Sequence, residues 1–170
     1  MNLLKTTFTH TTSTPIPPNA RGQDVLALLH DHIAMMELNP LVIAHTIIPS
    51  PDVVPAWDST YIVTDKMPYG LWTGKVTYQV SFRNTADGLE TEAKAAMGFI
   101  SEAVWRLEER TTGESTDLVL LETAKVTCSR LLRPFIEGKI RTSHQELCQR
   151  LLKRLSHQSC PVGSSMNHLD

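Results

Sequence analysis

Cysteine is scarce in this chain. Its 170 residues carry three, Cys128, Cys148 and Cys160. The number is odd, no CxxC spacing occurs and no Asn-x-Ser/Thr sequon is present. A disulfide scaffold is set aside, and a reducing compartment, most simply the cytoplasm, is the expectation. An excess of one charge is also missing: 16 Lys and Arg stand against 18 Asp and Glu, a formal net charge of -2. That balance supplies no electrostatic reason to expect nucleic acid or an anionic membrane as partner. No apolar run approaches the roughly 20 residues of a membrane span. The opening MNLLKTTFTHTT lacks the apolar h-region of a signal peptide. GxGxxG, Walker and GxSxG motifs are absent, so nucleotide binding and elbow-serine hydrolysis have no support and no cofactor is expected.

What is there is an ordinary globular composition, 41% hydrophobic and 20% charged. The length suits one domain with a proper core, taken as residues 1–158, with 159–170 as an aperiodic tail. Threonine-rich LLKTTFTHTTSTPI reads as a first strand, stopped by the prolines of PIPPN. ARGQDVLALLHDHIAMM has the helical repeat in Val25, Leu28, Leu29, Ile33 and Met36, and Asn39-Pro40 ends it. Strands follow in LVIAHTIIP, STYIVTD and TGKVTYQVSFRN. In the last of these Val76, Tyr78, Val80 and Phe82 share one face. TADG reads as a hairpin turn in which Asp-Gly supplies positive φ. LETEAKAAMGF and AVWRLEERTTGEST continue the alternation, and DLVLLETAKVT is the final strand. Pro134 suits a first helical turn. Leu132, Phe135, Ile136, Ile140, Leu147, Leu151 and Leu155 then draw one long apolar stripe. The sum is an α+β chain with about seven antiparallel strands. A sheet that long must curl, and the terminal helix is the element able to cover it, leaving a cavity between them.

Glu122 interrupts the apolar run of the final strand. Leu118, Leu120, Glu122, Ala124 and Val126 share one parity, while Lys125 and two threonines take the other. Glu122 is therefore expected to face inward beside Leu120 and Trp105, where desolvation tunes a carboxylate towards neutral pH as a general acid or base. The competing reading is a structural ion pair with Arg106 or Arg83. His45, flanked by apolar residues, is either a proton shuttle or a hydrogen-bonded core histidine. Tyr61 and Tyr78 are either donors to a developing oxyanion or aromatic fillers. Nothing in the pattern fixes the side taken by His10. His30 and His32 flank Asp31, but residues two apart on a helix diverge, so no metal site is expected there. Asp52, Asp58 and Asp65 are placed in or near loops at the cavity mouth, with Trp57 as part of a lid. Cys128 and Cys148 are expected near the last strand–helix junction as buried, inert thiols.

The order of elements resembles the START-like, or SRPBCC, superfamily with its helix-grip fold. The resemblance spans roughly residues 5–158. It rests on TTFTHTTSTPI, DVLALLHDH, the pair GKVTYQVSF and LETEAKAAMGF, and above all LETAKVTCSRLLRPFIEGKI. Its flavour is that of small fungal members near natural-product pathways. The resemblance implies a polyketide cyclase-like activity without cofactor: aldol ring closure, or lactone and α-pyrone formation by enol-oxygen attack. On that view Glu122 is the base and Tyr78 or His45 the oxyanion donor. Trp105, Phe82 and Met97 hold the chain against Ile136 and Ile140 of the helix, with Tyr61 and Leu120 completing the lining. The alternative is a carrier that binds a lipid or terpenoid without chemistry. The expected partner is an apolar small molecule in either case. An edge strand such as the first offers a route to a homodimer.

Overall fold

The computed structural model describes residues 4–49, 57–69, 72–113 and 115–158. Asp52, Cys160 and the 159–170 tail lie outside the described residues. Seven antiparallel strands form one sheet in the order β1-β7-β6-β5-β4-β3-β2. They are β1 (Lys5–Pro15), β2 (Val42–Ile48), β3 (Ser59–Tyr69), β4 (Trp72–Thr85), β5 (Gly88–Ala95), β6 (Phe99–Thr112) and β7 (Ser115–Ser129). Two short helices, α1 (Gly22–His30) and α2 (His32–Leu38), sit between β1 and β2, and the long α3 (Arg133–Gln158) follows β7. This is the helix-grip architecture expected from the order of elements.

The core fills the space between the sheet and the helices. Leu29, Leu89, Leu151 and Leu155 are fully buried there with Val25 and Val63, each contributing on the order of 1.5–3 kcal/mol of hydrophobic stabilisation. A second small cluster of Phe8, Val126 and Cys128 is closed off by Phe99, Ile136 and Ile140. Among the described residues no helix is long and apolar enough to cross a membrane.

Several local expectations are corrected. The single early helix is two, because Asp31 leaves the first and caps the second, its carboxylate accepting from Ala34 N at 3.0 Å. A short oxygen acceptor that satisfies a helix-start N–H favours such a break. The strand read through Met97 ends at Ala95, and the chain reverses through Ala96–Gly98 with Met97 at φ 59°. Gly88 is not at positive φ; its role in the β4–β5 hairpin is close approach to β6. Gly113 does turn the β6–β7 hairpin at φ 65°. Just before and within the first turn of α3, Leu132 and Phe135 leave the expected stripe and are exposed, while Ile136 takes the inward position against Phe8.

Candidate functional site

Alternation sets the inner face strand by strand. On β7, Leu120, Glu122, Ala124, Val126 and Cys128 are buried, and Lys125 is exposed on the other face. Glu122 is 1% exposed. On β1 the same alternation buries Phe8 and Thr14 and turns His10 and Thr12 inward. Thr12 lies opposite Glu122, and His10 opposite Ala124. On β6, Trp105 pairs directly with Glu122.

The stripe of α3 supplies what sequence reasoning missed. Between Ile140 and Leu147 the inward position is His144. Its Nδ1 lies 2.5 Å from Glu122 Oε1. That proximity is fixed by the placement of β7 and α3, while rotation of the ring sets the alignment. As placed, neither Glu122 oxygen nor His144 Nδ1 has an aligned hydrogen bond among the described residues. The His144 ring runs nearly parallel to Trp105, centroids 6.3 Å apart, and meets His10 edge-on at 6.0 Å. His10 Nε2 is in turn 3.1 Å from Thr12 Oγ1. A signal for His144 exists in the sequence: it is four residues from both Ile140 and Cys148, the helical spacing of the buried stripe.

Glu122 and His144 border a cavity of about 150 Å³, with both carboxylate oxygens and His144 Nδ1 buried. Trp105, Phe82, Tyr78 and Leu147 line it, and Met35 and Met36 of α2 close one side. An engineered apolar cavity of about 150 Å³ accepts benzene, so the space holds one ring-sized fragment rather than a whole long chain.

Tyr78 faces this cavity but its hydroxyl is already committed. It donates to Asp65 Oδ1 at 3.2 Å. Asp65 is not a loop residue; it lies in β3 and is buried. Burial pushes its carboxyl up, while hydrogen bonds from Tyr78 and Asn39 pull the other way. The Tyr78 phenol is pushed far up, first by burial and then by the Asp65 charge, so its proton is firmly held.

The other expected site residues fall elsewhere. His45 stands on the edge strand β2, 3.8 Å from Glu37 and edge-on to Tyr61, and does not line the cavity. Tyr61 and Leu120 belong to the core beside it. Ile136 and Ile140 pack on the Phe8 cluster instead of the cavity, because they occupy the turns of α3 before His144. Met97 is 75% exposed and cannot hold a ligand inside. Asp58 is tied to β4, accepting from Asn84 N at 2.6 Å, and Arg83 covers the neighbouring Trp57 ring. Glu122 is paired with neither arginine once considered: Arg83 contacts Glu90, and Arg106 faces Asp87.

His30 Nε2 contacts the Thr85 and Gly88 carbonyl oxygens, whereas His32 contacts Ser59 and Asn84 and stacks on Phe82. Both Cys128 and Cys148 are buried free thiols pushed up chiefly by burial. Cys148 lies in mid-helix rather than at the junction, close enough to Glu122 for that charge to add to its shift. Among the described residues no group of three or more His, Cys, Asp or Glu converges as metal ligands.

A family model described as "Domain of unknown function (DUF7053)" matches residues 5–157, and the chain belongs to that family. No curated protein matches it in sequence. Solved structures share the fold. The di-domain ARO/CYC StfQ from the steffimycin biosynthetic pathway is 12% identical, with a TM-score of 0.62 over 92% of this chain and 52% of its own. For the di-domain ARO/CYC BexL from the BE-7585A biosynthetic pathway the values are 13%, 0.61, 86% and 49%. Ara h 8.0201 is 11% identical, with a TM-score of 0.58 over 90% of this chain and 99% of its own. The chain thus spans about half the length of the two di-domain proteins.

Proposed function

Membership of a family defined by sequence names no reaction, so the chemistry rests on the cavity, and from it we propose a cofactor-independent cyclase or isomerase. Its substrate is a polyketide-like chain whose reacting end enters the space before Glu122. One observation carries the reading: a carboxylate that is 1% exposed faces a cavity with neither oxygen held by an aligned hydrogen bond. Buried polar groups are normally satisfied within the protein. Among the described residues the near neighbour of this carboxylate is His144 Nδ1 at 2.5 Å, and turning that ring aside opens an oxygen to the proton of a ligand in the cavity.

The chemistry needs little else. Glu122 takes a proton from a carbon flanked by carbonyls, and the C–H electron pair becomes an enolate. The enolate carbon then adds to a second carbonyl to give an aldol ring. In the other course its oxygen attacks an acyl carbon and expels the leaving group, giving a lactone or α-pyrone. Trp105 and Phe82 hold the reacting end, and Tyr78, which keeps its proton, steadies the developing oxyanion by exchanging its Asp65 partner for it. Two proteins of the same fold are ARO/CYC components of biosynthetic pathways, which supports the choice of substrate class by fold alone.

A second reading is favoured by the Tyr78–Asp65 bond, a polar pair already satisfied within the protein. Under it the cavity carries an apolar molecule without chemistry. Native mass spectrometry decides between the two. The protein is purified from a host that makes its own pathway metabolites, as wild type and as Glu122→Gln. An empty wild type beside a variant that retains a linear precursor supports the cyclase. The same unchanged lipid in both establishes the carrier and overturns the enzyme.

A further inference from the structure

A base buried as deeply as Glu122 has no direct contact with water through which to pass on the proton it takes. His144 is the group placed to do so. It touches Glu122 through Nδ1, lines the same cavity, and its side chain is 22% exposed where that of Glu122 is 1% exposed. Its ring is held on two further sides, by Trp105 of β6 and by His10 of β1.

A histidine with a purely structural role would be expected to saturate its ring nitrogens. Here Nδ1 is buried beside a carboxylate without alignment. A leucine at the same point of the stripe would complete the core with no buried charge to desolvate. Retaining an ionisable pair in that position is costly to stability and calls for a chemical reason.

We propose that His144 is the proton carrier of the site, relaying between Glu122 and solvent the proton that Glu122 removes from the bound molecule. The inference rests on the reading of Glu122 as a base and deepens it. In each cycle the C–H proton passes to Glu122. His144 accepts it at Nδ1 and becomes an imidazolium, the ring turns outward, and the same proton leaves from Nδ1 to solvent or to the leaving group, so the returning ring is again the starting tautomer. Charge and protons balance without any further reactant. His10, edge-on to His144 with Nε2 on Thr12, stands on the β1 side of that route.

The test uses cyclohexanone, a single ring of the size the cavity accepts, and follows exchange of its α-protons in D2O by NMR with the full chain. Wild type is expected to accelerate exchange over buffer. His144→Gln keeps an amide donor for Glu122 but cannot carry a proton, and should slow exchange about a hundredfold, within the usual contribution of a positioned acid–base group. His144→Ala should lose as much and recover, with saturation, when free imidazole is added. Near-UV circular dichroism and melting of each variant report whether it is folded.

Wild-type exchange rates in His144→Gln overturn the relay. So does a folded His144→Ala that imidazole does not restore, because a missing proton carrier is replaceable by a free base. Failure of the underlying reading looks different: Glu122→Gln then exchanges as fast as wild type, or wild type no faster than buffer.

Discussion

A Cβ on Gly88 would lie 1.8 Å from the carbonyl oxygen of Trp105, so β5 and β6 meet there backbone to backbone. Gly88 pairs with Arg106, one register step from Trp105, which pairs with Leu89 on one side and Glu122 on the other. Gly88→Ala must push β5 away from the strand that backs the cavity. We expect a loss of at least about 2 kcal/mol in urea unfolding, in the range of strained backbone substitutions. Trp105 fluorescence should shift in the folded variant. An alanine accommodated within about 0.5 kcal/mol would show that the two strands separate freely.

Asp65 gives a pH dependence with a definite sign. Its carboxyl is raised in the folded protein, mainly by burial. The folded state therefore keeps a proton that the unfolded state gives up. Stability falls as pH rises from the ordinary 3.8 through the folded value. Above that window the penalty of the buried charge is fully present. Asp65→Asn removes it while leaving an oxygen to accept from Tyr78. The Tm difference, variant minus wild type, should grow between acid and neutral pH. A difference that is constant across that range contradicts the assignment.

The Glu122–His144 pair should be kept at the expense of stability. Replacing buried ion pairs by apolar residues of similar size is often stabilising, by about 1–4 kcal/mol. The double variant Glu122→Leu, His144→Leu is expected to unfold at higher urea than wild type and to be inert in cyclohexanone exchange. Destabilisation on the same scale would assign the pair to the scaffold.

Met97 sits at φ 59° with its side chain 75% exposed. Asparagine tolerates the left-handed region better than methionine does. Met97→Asn should therefore stabilise by about 0.5–1 kcal/mol and leave proton exchange unchanged. A loss of exchange would return Met97 to the ligand.

The order and face of the strands were readable in the sequence because one face is buried, and a period of two then leaves only one choice of side. Glu122 follows from that rule, whereas the threonines around His10 leave its side open until the structure shows it sharing the parity of Phe8. His144 does not stand out in the sequence because apolar residues alone mark the stripe of α3, and a functional side chain is the one that breaks such a stripe. Asp65 went astray for a different reason: β3 runs to Tyr69, beyond the apolar STYIVTD, and a carboxylate at a strand's apparent end looks like a loop residue. The Tyr78 bond that settles its environment links residues that are neighbours only once β3 and β4 have paired. His45 has inward parity, opposite buried Val63, yet it lies on the far edge of the sheet. Parity gives the side but not the distance from the cavity.

Among the described residues β1 has a single partner strand, β7, and the Thr7–Thr127 contact between them joins residues 120 positions apart. Such a pairing is among the slowest to find, because the entropy of closing so large a loop is lost before any contact repays it. On the ribosome, β1 emerges before its partner and lacks it until β2 to β7 have been synthesised. Its run of threonines, more soluble than valine or isoleucine at the same β propensity, suits an edge that stays exposed so long. The neighbourhood of Glu122, which draws on β1, β7 and α3 together, is thus among the last parts of this fold to form.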